Sequence, residues 1–393
     1  MSKKPIDFSR LRAETRLVAA AREFTEFGIV NPPVYHASTI LFPTVEALHD
    51  RAQPYRYGRR GTPTSRALET AVARLEGGHD ARVCGSGLAA VTTTLLAFVK
   101  AGDHLLVTDA VYSPARHFCD TLLKGYGVEV TYYDPRIGAK IDTLFRPNTT
   151  LVYTESPGSQ TFEVQDIPAI ASAARRRGIR VAIDNTWSGG YFFDAFRHGC
   201  DVSLQAGTKY IGGHSDLMLG TITCTESAWG PLAEAFGTLG QCAGPDDIYL
   251  ALRGLRTIDV RLKRHQENAL VIADWLKGRT EVERVVHPAL PDHPDHAVWK
   301  RDFTGSSGLF SIILKTTSVP AMSAMLDGLE LFGMGHSWGG YESLVVPFDP
   351  SAGRTVAPWQ SKGLALRFHI GLEHPDDLKA DLAAGFERLA RHA

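Results

Sequence analysis

The chain has 393 residues, 44% hydrophobic and 22% charged, with a formal net charge of −1. At roughly 100–200 residues per domain this is enough for two or three domains with buried cores, and the composition excludes general disorder. The balanced charge excludes a basic nucleic-acid footprint or a polybasic membrane patch, and no run of about 18 uncharged apolar residues exists to span a bilayer.

The opening stretch, Met1 to Phe24, is interrupted by charges too often for a secretory signal. Residues 1–60 read as an irregular arm that packs on a neighbouring subunit, with Asn31-Pro32-Pro33 as a break and Tyr57-Gly58-Arg59 near its end. A helix is expected from Thr64 to Leu75, with Leu68, Val72 and Leu75 on one face. A second, Ala89 to Val99, follows the turn Cys84-Gly85-Ser86-Gly87. Asp103–Thr108 reads as a buried strand, Ser113–Leu123 as a helix, and Val128–Tyr133 and Thr150–Glu155 as strands. Ile167–Arg177 is a helix stopped by Gly178. Arg180–Asp184 and Val202–Gln205 are strands. This alternation predicts an α/β fold with a mostly parallel sheet covered on both faces, over residues 61–255. After a long helix from Asp247 to Leu276 the texture changes. A Pro-rich stretch at 288–294, a strand at Leu309–Leu314, a helix at Ala321–Leu329 and a closing helix at Asp376–Ala390 predict a smaller C-terminal α/β domain over 256–393.

Ligands of parallel sheets sit beyond the carboxyl ends of the strands, and the residues there carry the chemical signal. Lys209 stands in a small-residue loop, Ala206-Gly207-Thr208-Lys209, just after an apolar strand. Burial would lower its pKa and make it a nucleophile, although taken alone the lysine reads more readily as a surface charge. Asp184 ends a buried strand, where a carboxylate would hold a proton on a pyridine nitrogen or simply cap a turn. The Gly85-Ser86-Gly87-Leu88 turn opens a helix, and free amides there favour a phosphate, as would the Thr208 hydroxyl. Tyr112 follows a strand and could stack on a flat ring. Tyr57 and Arg59 offer a phenol and a guanidinium to a phosphate across a subunit boundary. Arg367, in the apolar strand Leu364–Phe368 near Ser337-Trp338-Gly339-Gly340, needs an anion. That anion is either a substrate carboxylate or an internal acid. The five cysteines, Cys84, Cys119, Cys200, Cys224 and Cys242, are scattered without CxxC spacing, which argues for reduced thiols in a cytoplasm and against a metal site.

In this order the motifs resemble the Cys/Met-metabolism family of pyridoxal-phosphate enzymes. The resemblance runs from Tyr57-Gly58-Arg59 to His369-Ile370-Gly371-Leu372-Glu373. It is carried by Glu155-Ser156-Pro157-Gly158-Ser159, Ile183-Asp184-Asn185-Thr186-Trp187, Thr208-Lys209-Tyr210, Gly213-His214-Ser215-Asp216, Arg253-Gly254-Leu255-Arg256-Thr257 and Ser337-Trp338-Gly339-Gly340-Tyr341-Glu342-Ser343. It implies an aspartate-aminotransferase-like (type I) fold with pyridoxal 5′-phosphate as cofactor. By the same resemblance Lys209 is the Schiff-base lysine and Asp184 the pyridine-nitrogen partner, and Tyr112 stacks on the ring. Gly87, Leu88, Thr208 and Ser159 belong to the cofactor's surround, and Tyr57 and Arg59 reach the adjacent subunit's phosphate. Arg367, with Ser337 and Trp338, binds the substrate carboxylate. The Glu155–Ser159 and Ser337–Ser343 forms look like the carbon–sulfur β-lyase branch, since γ-lyases and γ-synthases usually carry an asparagine at the place of Ser159 and a glutamate at that of His336. That branch acts on thioether amino acids such as cystathionine, with Lys209 as base and Tyr112 or Tyr57 as a further proton donor. A homotetramer, as a dimer of dimers, is implied as well. Three departures stand out: Ala206 replaces a phosphate-binding serine of many members, and His336 and Gly237 replace tyrosines typical of β-lyases.

Overall fold

The computed structural model describes residues 6–392. Its larger sheet has seven strands: β1 Asp80–Cys84, β2 His104–Thr108, β3 Glu129–Tyr133, β4 Thr149–Glu155, β5 Arg180–Asp184, β6 Val202–Ala206 and β7 Gly220–Cys224. The spatial order is β1-β7-β6-β5-β4-β2-β3. From β3 across to β6 every pairing is parallel, and β7 runs antiparallel to both its neighbours. Strand β2 is buried throughout, as a strand sandwiched between two helical layers must be. The mostly parallel sheet expected from the sequence is therefore present, with β1 and β7 added at one edge.

Helix Pro63–Glu76 starts where the sequence signals it. Thr62 and Ser65 form a capping box, Pro63 opens the first turn, and Gly77 ends the helix at φ +77°. The expected helix after Tyr112 changes character: Ser113–Phe118 is α-helical and Cys119–Leu123 widens into a π-turn.

The single long helix expected over 247–276 is two helices, Pro245–Leu255 and Ile258–Lys277. The cause is local. The Gly254 carbonyl accepts from the amide and the hydroxyl of Thr257 and from Arg261, so its bonding is drawn away from the regular ladder. The second helix joins two cores. Ile258 and Leu262 pack with Tyr210 and Ile211 under the large sheet. Ala269, Ile272, Ala273 and Leu276 pack on the smaller sheet. That sheet is antiparallel, ordered β10-β11-β9-β8, from β8 Val282–Val286, β9 Leu309–Leu314, β10 Leu344–Phe348 and β11 Ala365–His369.

Residues 6–60 are less irregular than expected. Helix Ala13–Ala19 carries Leu17 into the core beside Leu68 and Val72. Farther along, Phe27 is 95% exposed and Leu41 89%.

The loop between β10 and β11 returns from the smaller sheet to the larger one. The amides of Thr355, Val356 and Ala357 donate to the carboxylate of Asp109, just beyond β2, at 2.9–3.1 Å. Arg116 pairs with the same carboxylate at 2.7 Å, and Arg354 pairs with Glu163 at 2.6 Å. Burial works against ionising Asp109, but the three amides and Arg116 outweigh it and hold the carboxyl at about 2. A depressed carboxyl pKa stabilises the fold above the ordinary value of 3.8, and the contribution is lost as the pH falls through about 2. Asp109→Asn, which leaves buried Arg116 without its anion, should cost on the order of 3 kcal/mol of unfolding free energy at neutral pH. The gap to the parent should close between about pH 4 and pH 2. Urea unfolding across that range measures it, and equal stability at pH 7 would mean the clamp contributes nothing.

Candidate active site

Four parallel strands end on one rim of the large sheet. Tyr112 follows β2, Glu155 ends β4, Asp184 ends β5, and Lys209 lies three residues past β6. The topology thus brings together residues far apart in the chain, as the C-terminal edge of a parallel sheet does.

Lys209 sits in a tight turn, its amide donating to the Ala206 carbonyl at 3.0 Å. Its Nζ donates to Ser337 Oγ at 2.8 Å and lies 5.3 Å from the Trp338 ring. Burial and then the charge of Arg367 lower its pKa to about 8, against the pull of Asp184. At neutral pH a useful fraction is free amine, unlike an ordinary surface lysine.

Asp184 faces the same space. Its Oδ1 accepts from the amide of Thr186 at 3.0 Å and from its hydroxyl at 2.5 Å. The Thr186 oxygen in turn accepts from the Ala206 amide at 2.9 Å, tying Asp184 to the lysine turn. The turn-capping role therefore exists, alongside the rim position. Burial raises the Asp184 carboxyl, and the Thr186 bonds and the Lys209 charge oppose it. Its partner across the strands is Glu155, which burial and the Asp184 charge push well above the usual range. Burial raises both carboxyls. Tyr112 is half-exposed. Burial, then Asp184 and Glu155, raise its phenol.

Helix Gly87–Phe98 begins against the lysine turn, so close that a Cβ on Gly87 would lie 2.6 Å from the Ala206 Cβ. Ser86 caps the helix by accepting from the Ala89 amide. Of the orphan amides of the first turn, those of Gly87 and Leu88 have no acceptor among the described residues, the donor set an anion needs. Thr208 behaves differently from expectation. Its hydroxyl donates to the Leu219 carbonyl at 3.1 Å and accepts from the Leu219 amide at 3.0 Å. In this arrangement it has no proton to offer a phosphate. The Ser159 hydroxyl likewise faces Glu155.

Arg367, in β11, is 5% exposed. Its guanidinium donates to the carbonyls of Gly335, His336 and Ser337, each at 3.0 Å. Its Nε is buried without a partner, and no carboxylate pairs with it among the described residues. The internal-acid alternative is thereby removed. Burial lowers its pKa to about 10. Trp338 packs on Tyr210, next to Lys209. Gly339, at φ +88°, lies where a Cβ would strike the Lys209 backbone at 2.9 Å.

Two expected site residues stay apart from this group. Tyr57 is half-exposed, and Arg59 donates to the Gly237 carbonyl at 3.0 Å. Neither contacts Lys209, Asp184 or Tyr112 of its own chain. A side chain at 237 would meet open space. Glu155 and Asp109 were not singled out from the sequence, although Glu155 ends its apolar strand just as Asp184 does.

The geometry predicts a titration. Modification of Lys209 in the apoprotein by a small amine-reactive reagent should accelerate with pH and level off above about 8. Arg367→Leu removes the nearby positive charge, so the plateau should move to higher pH. Peptide mass mapping of the labelled lysine reads both, and a plateau unmoved by that change would exclude Arg367 as a cause.

Residues 14–387 match the family described as Cys/Met metabolism PLP-dependent enzyme. The chain is 53% identical over 377 residues to a putative cystathionine β-lyase of Rhizobium johnstonii, covering 95% of each chain. It is 47% identical to cystathionine β-lyase of Salmonella typhimurium, covering 96% of this chain and 98% of that one. The fold superposes on the structure of a cystathionine γ-synthase from Xanthomonas oryzae in complex with cystathionine. The TM-score is 0.90 and the identity 31%, over 98% of this chain and all of that one. The chain belongs to the Cys/Met metabolism family of pyridoxal-phosphate-dependent enzymes, on the type I fold that its motifs implied.

Proposed function

We propose that the chain cleaves the Cβ–S bond of L-cystathionine, releasing homocysteine, pyruvate and ammonia. The observation that carries the reading is Arg367, a buried guanidinium with an unpartnered Nε and no protein carboxylate. It lies close enough to Lys209 to depress that amine. A cation so placed calls for an α-carboxylate beside the base. The two relatives named cystathionine β-lyase support the choice of thioether.

The residues fit pyridoxal 5′-phosphate. Lys209 supplies the amine that holds it, and the free amides of Gly87 and Leu88 suit its phosphate. Asp184, held by Thr186 at the rim and facing Lys209, suits its ring nitrogen. When bound, the cofactor provides an electron sink for the pair left at Cα. The chain's own groups do the rest. Arg367 fixes the substrate carboxylate. Lys209, oriented by Ser337, takes the Cα proton and returns a proton to the departing sulfur. Asp184 holds a proton at the ring nitrogen, and Tyr112 covers the ring. Trp338 shields the amine from water. Water then hydrolyses the remaining three-carbon unit to pyruvate and ammonia.

Self-association, as a dimer of dimers, is part of this reading. It is supported by the distance of Tyr57 and Arg59 from their own chain's site, which suits donation to a neighbour's. The exposed Phe27 and Leu41 support it too.

Three measurements test the proposal. Purified protein with cystathionine should yield pyruvate, and 2-oxobutyrate in its place would mean γ-cleavage. Lys209→Ala should lower turnover by about 10³-fold or more, and pyruvate production retained in that variant would sink the assignment. Arg367→Leu should raise KM for cystathionine about 100-fold while leaving the cofactor's absorbance intact. An unchanged KM would remove Arg367 from substrate binding.

A further inference from the structure

The segment that carries Tyr112 is stitched to the turn after β4 at two points. The Tyr112 amide donates to Glu155 Oε2 at 2.6 Å, and the Ser159 amide donates to the Ala110 carbonyl at 2.8 Å. Gly158 makes room for this approach, since a Cβ there would lie 2.5 Å from that of Ala110. Glu155 is itself held. It is in register with Asp184, and its carbonyl accepts from Gln165 Nε2 at 2.8 Å. One side chain therefore bonds the backbone of the ring-covering tyrosine while sitting beside the carboxylate assigned to the ring nitrogen.

We propose that Glu155 is a positioning residue that sets the height of Tyr112 above the cofactor by the reach of its carboxyl to the Tyr112 amide. Its length matters for this role, and its charge does not. Burial and the Asp184 charge push the Glu155 carboxyl well above the usual range, which favours its neutral form. An amide oxygen in the same place would accept from Tyr112 equally well. A carboxyl one methylene shorter keeps the acid but falls short of the amide, leaving the loop to settle in a different position.

The inference rests on the placement of Tyr112 and Asp184 at the cofactor, and not on which thioether is cleaved. The test compares Glu155→Asp with Glu155→Gln in the full-length protein. Pyridoxal phosphate is titrated into each apoprotein, and kcat and KM are then measured. Loss of one hydrogen bond with its desolvated donor predicts about a tenfold weaker cofactor affinity in Glu155→Asp. Its kcat should fall by a similar factor with KM little changed. Glu155→Gln should recover both to within about threefold of the parent. A Glu155→Asp protein that binds and turns over like the parent overturns the inference. So does a Glu155→Gln protein as impaired as Glu155→Asp, since the charge would then be what counts. The titration needs no substrate, so a parent that binds cofactor but makes no pyruvate overturns the β-lyase reading alone.

Discussion

A buried guanidinium answered only by carbonyl oxygens organises this site. Full charge within a folded interior is costly unless it is paired, and Arg367 has three backbone oxygens from residues 335–337 in place of an anion. Meeting those demands curls the loop inward. The curl brings Ser337 within 2.8 Å of the Lys209 amine and lays Trp338 over Tyr210. Glycine at 339 is the condition for so close a passage over the lysine backbone. The same cation then lowers the pKa of the amine it has helped to place. Placing the lysine and tuning its amine are two outcomes of one charge with no acid partner among the described residues.

The site draws on both sheets, so their relative position matters. Two carboxylates on the large-sheet side, Asp109 and Glu163, receive the loop between β10 and β11. Asp109 lies three residues before Tyr112. The smaller sheet that supplies Arg367 is thus tied to the large one beside Tyr112. Ser215 and Glu342 add a bond at 2.5 Å between the loop after Lys209 and the loop after Trp338.

Much of this was legible in the chain. The apolar runs that became β2, β4, β5 and β6 are buried along their middles, and such strands announce themselves by hydrophobicity alone. Lys209, Asp184 and Arg367 could be picked out because each is a charged residue set against an apolar strand. Less was visible where the signal depends on distant partners. Strands β1, with the charged sequence Asp80-Ala81-Arg82, and β7, rich in threonine, lack a clean apolar pattern and are fixed by pairing. The break at Arg256-Thr257 comes from carbonyl bonding to Arg261, which no periodicity encodes. Glu155 was passed over because its acceptor role depends on an amide 43 residues earlier in the chain. Thr208 was overvalued, because its loop partner Leu219 is remote in sequence.

Helix Ile258–Lys277 gives this architecture its mechanical character. Twenty residues at about 1.5 Å each make a rod roughly 30 Å long, seated at one end in the large core and at the other in the small one. A rod fixed in two sockets leaves little freedom for a hinge between them. The sheets that supply Lys209 and Arg367 are then carried on one axle. Changes at His336, exposed on the loop whose carbonyls meet Arg367, would leave that axle undisturbed.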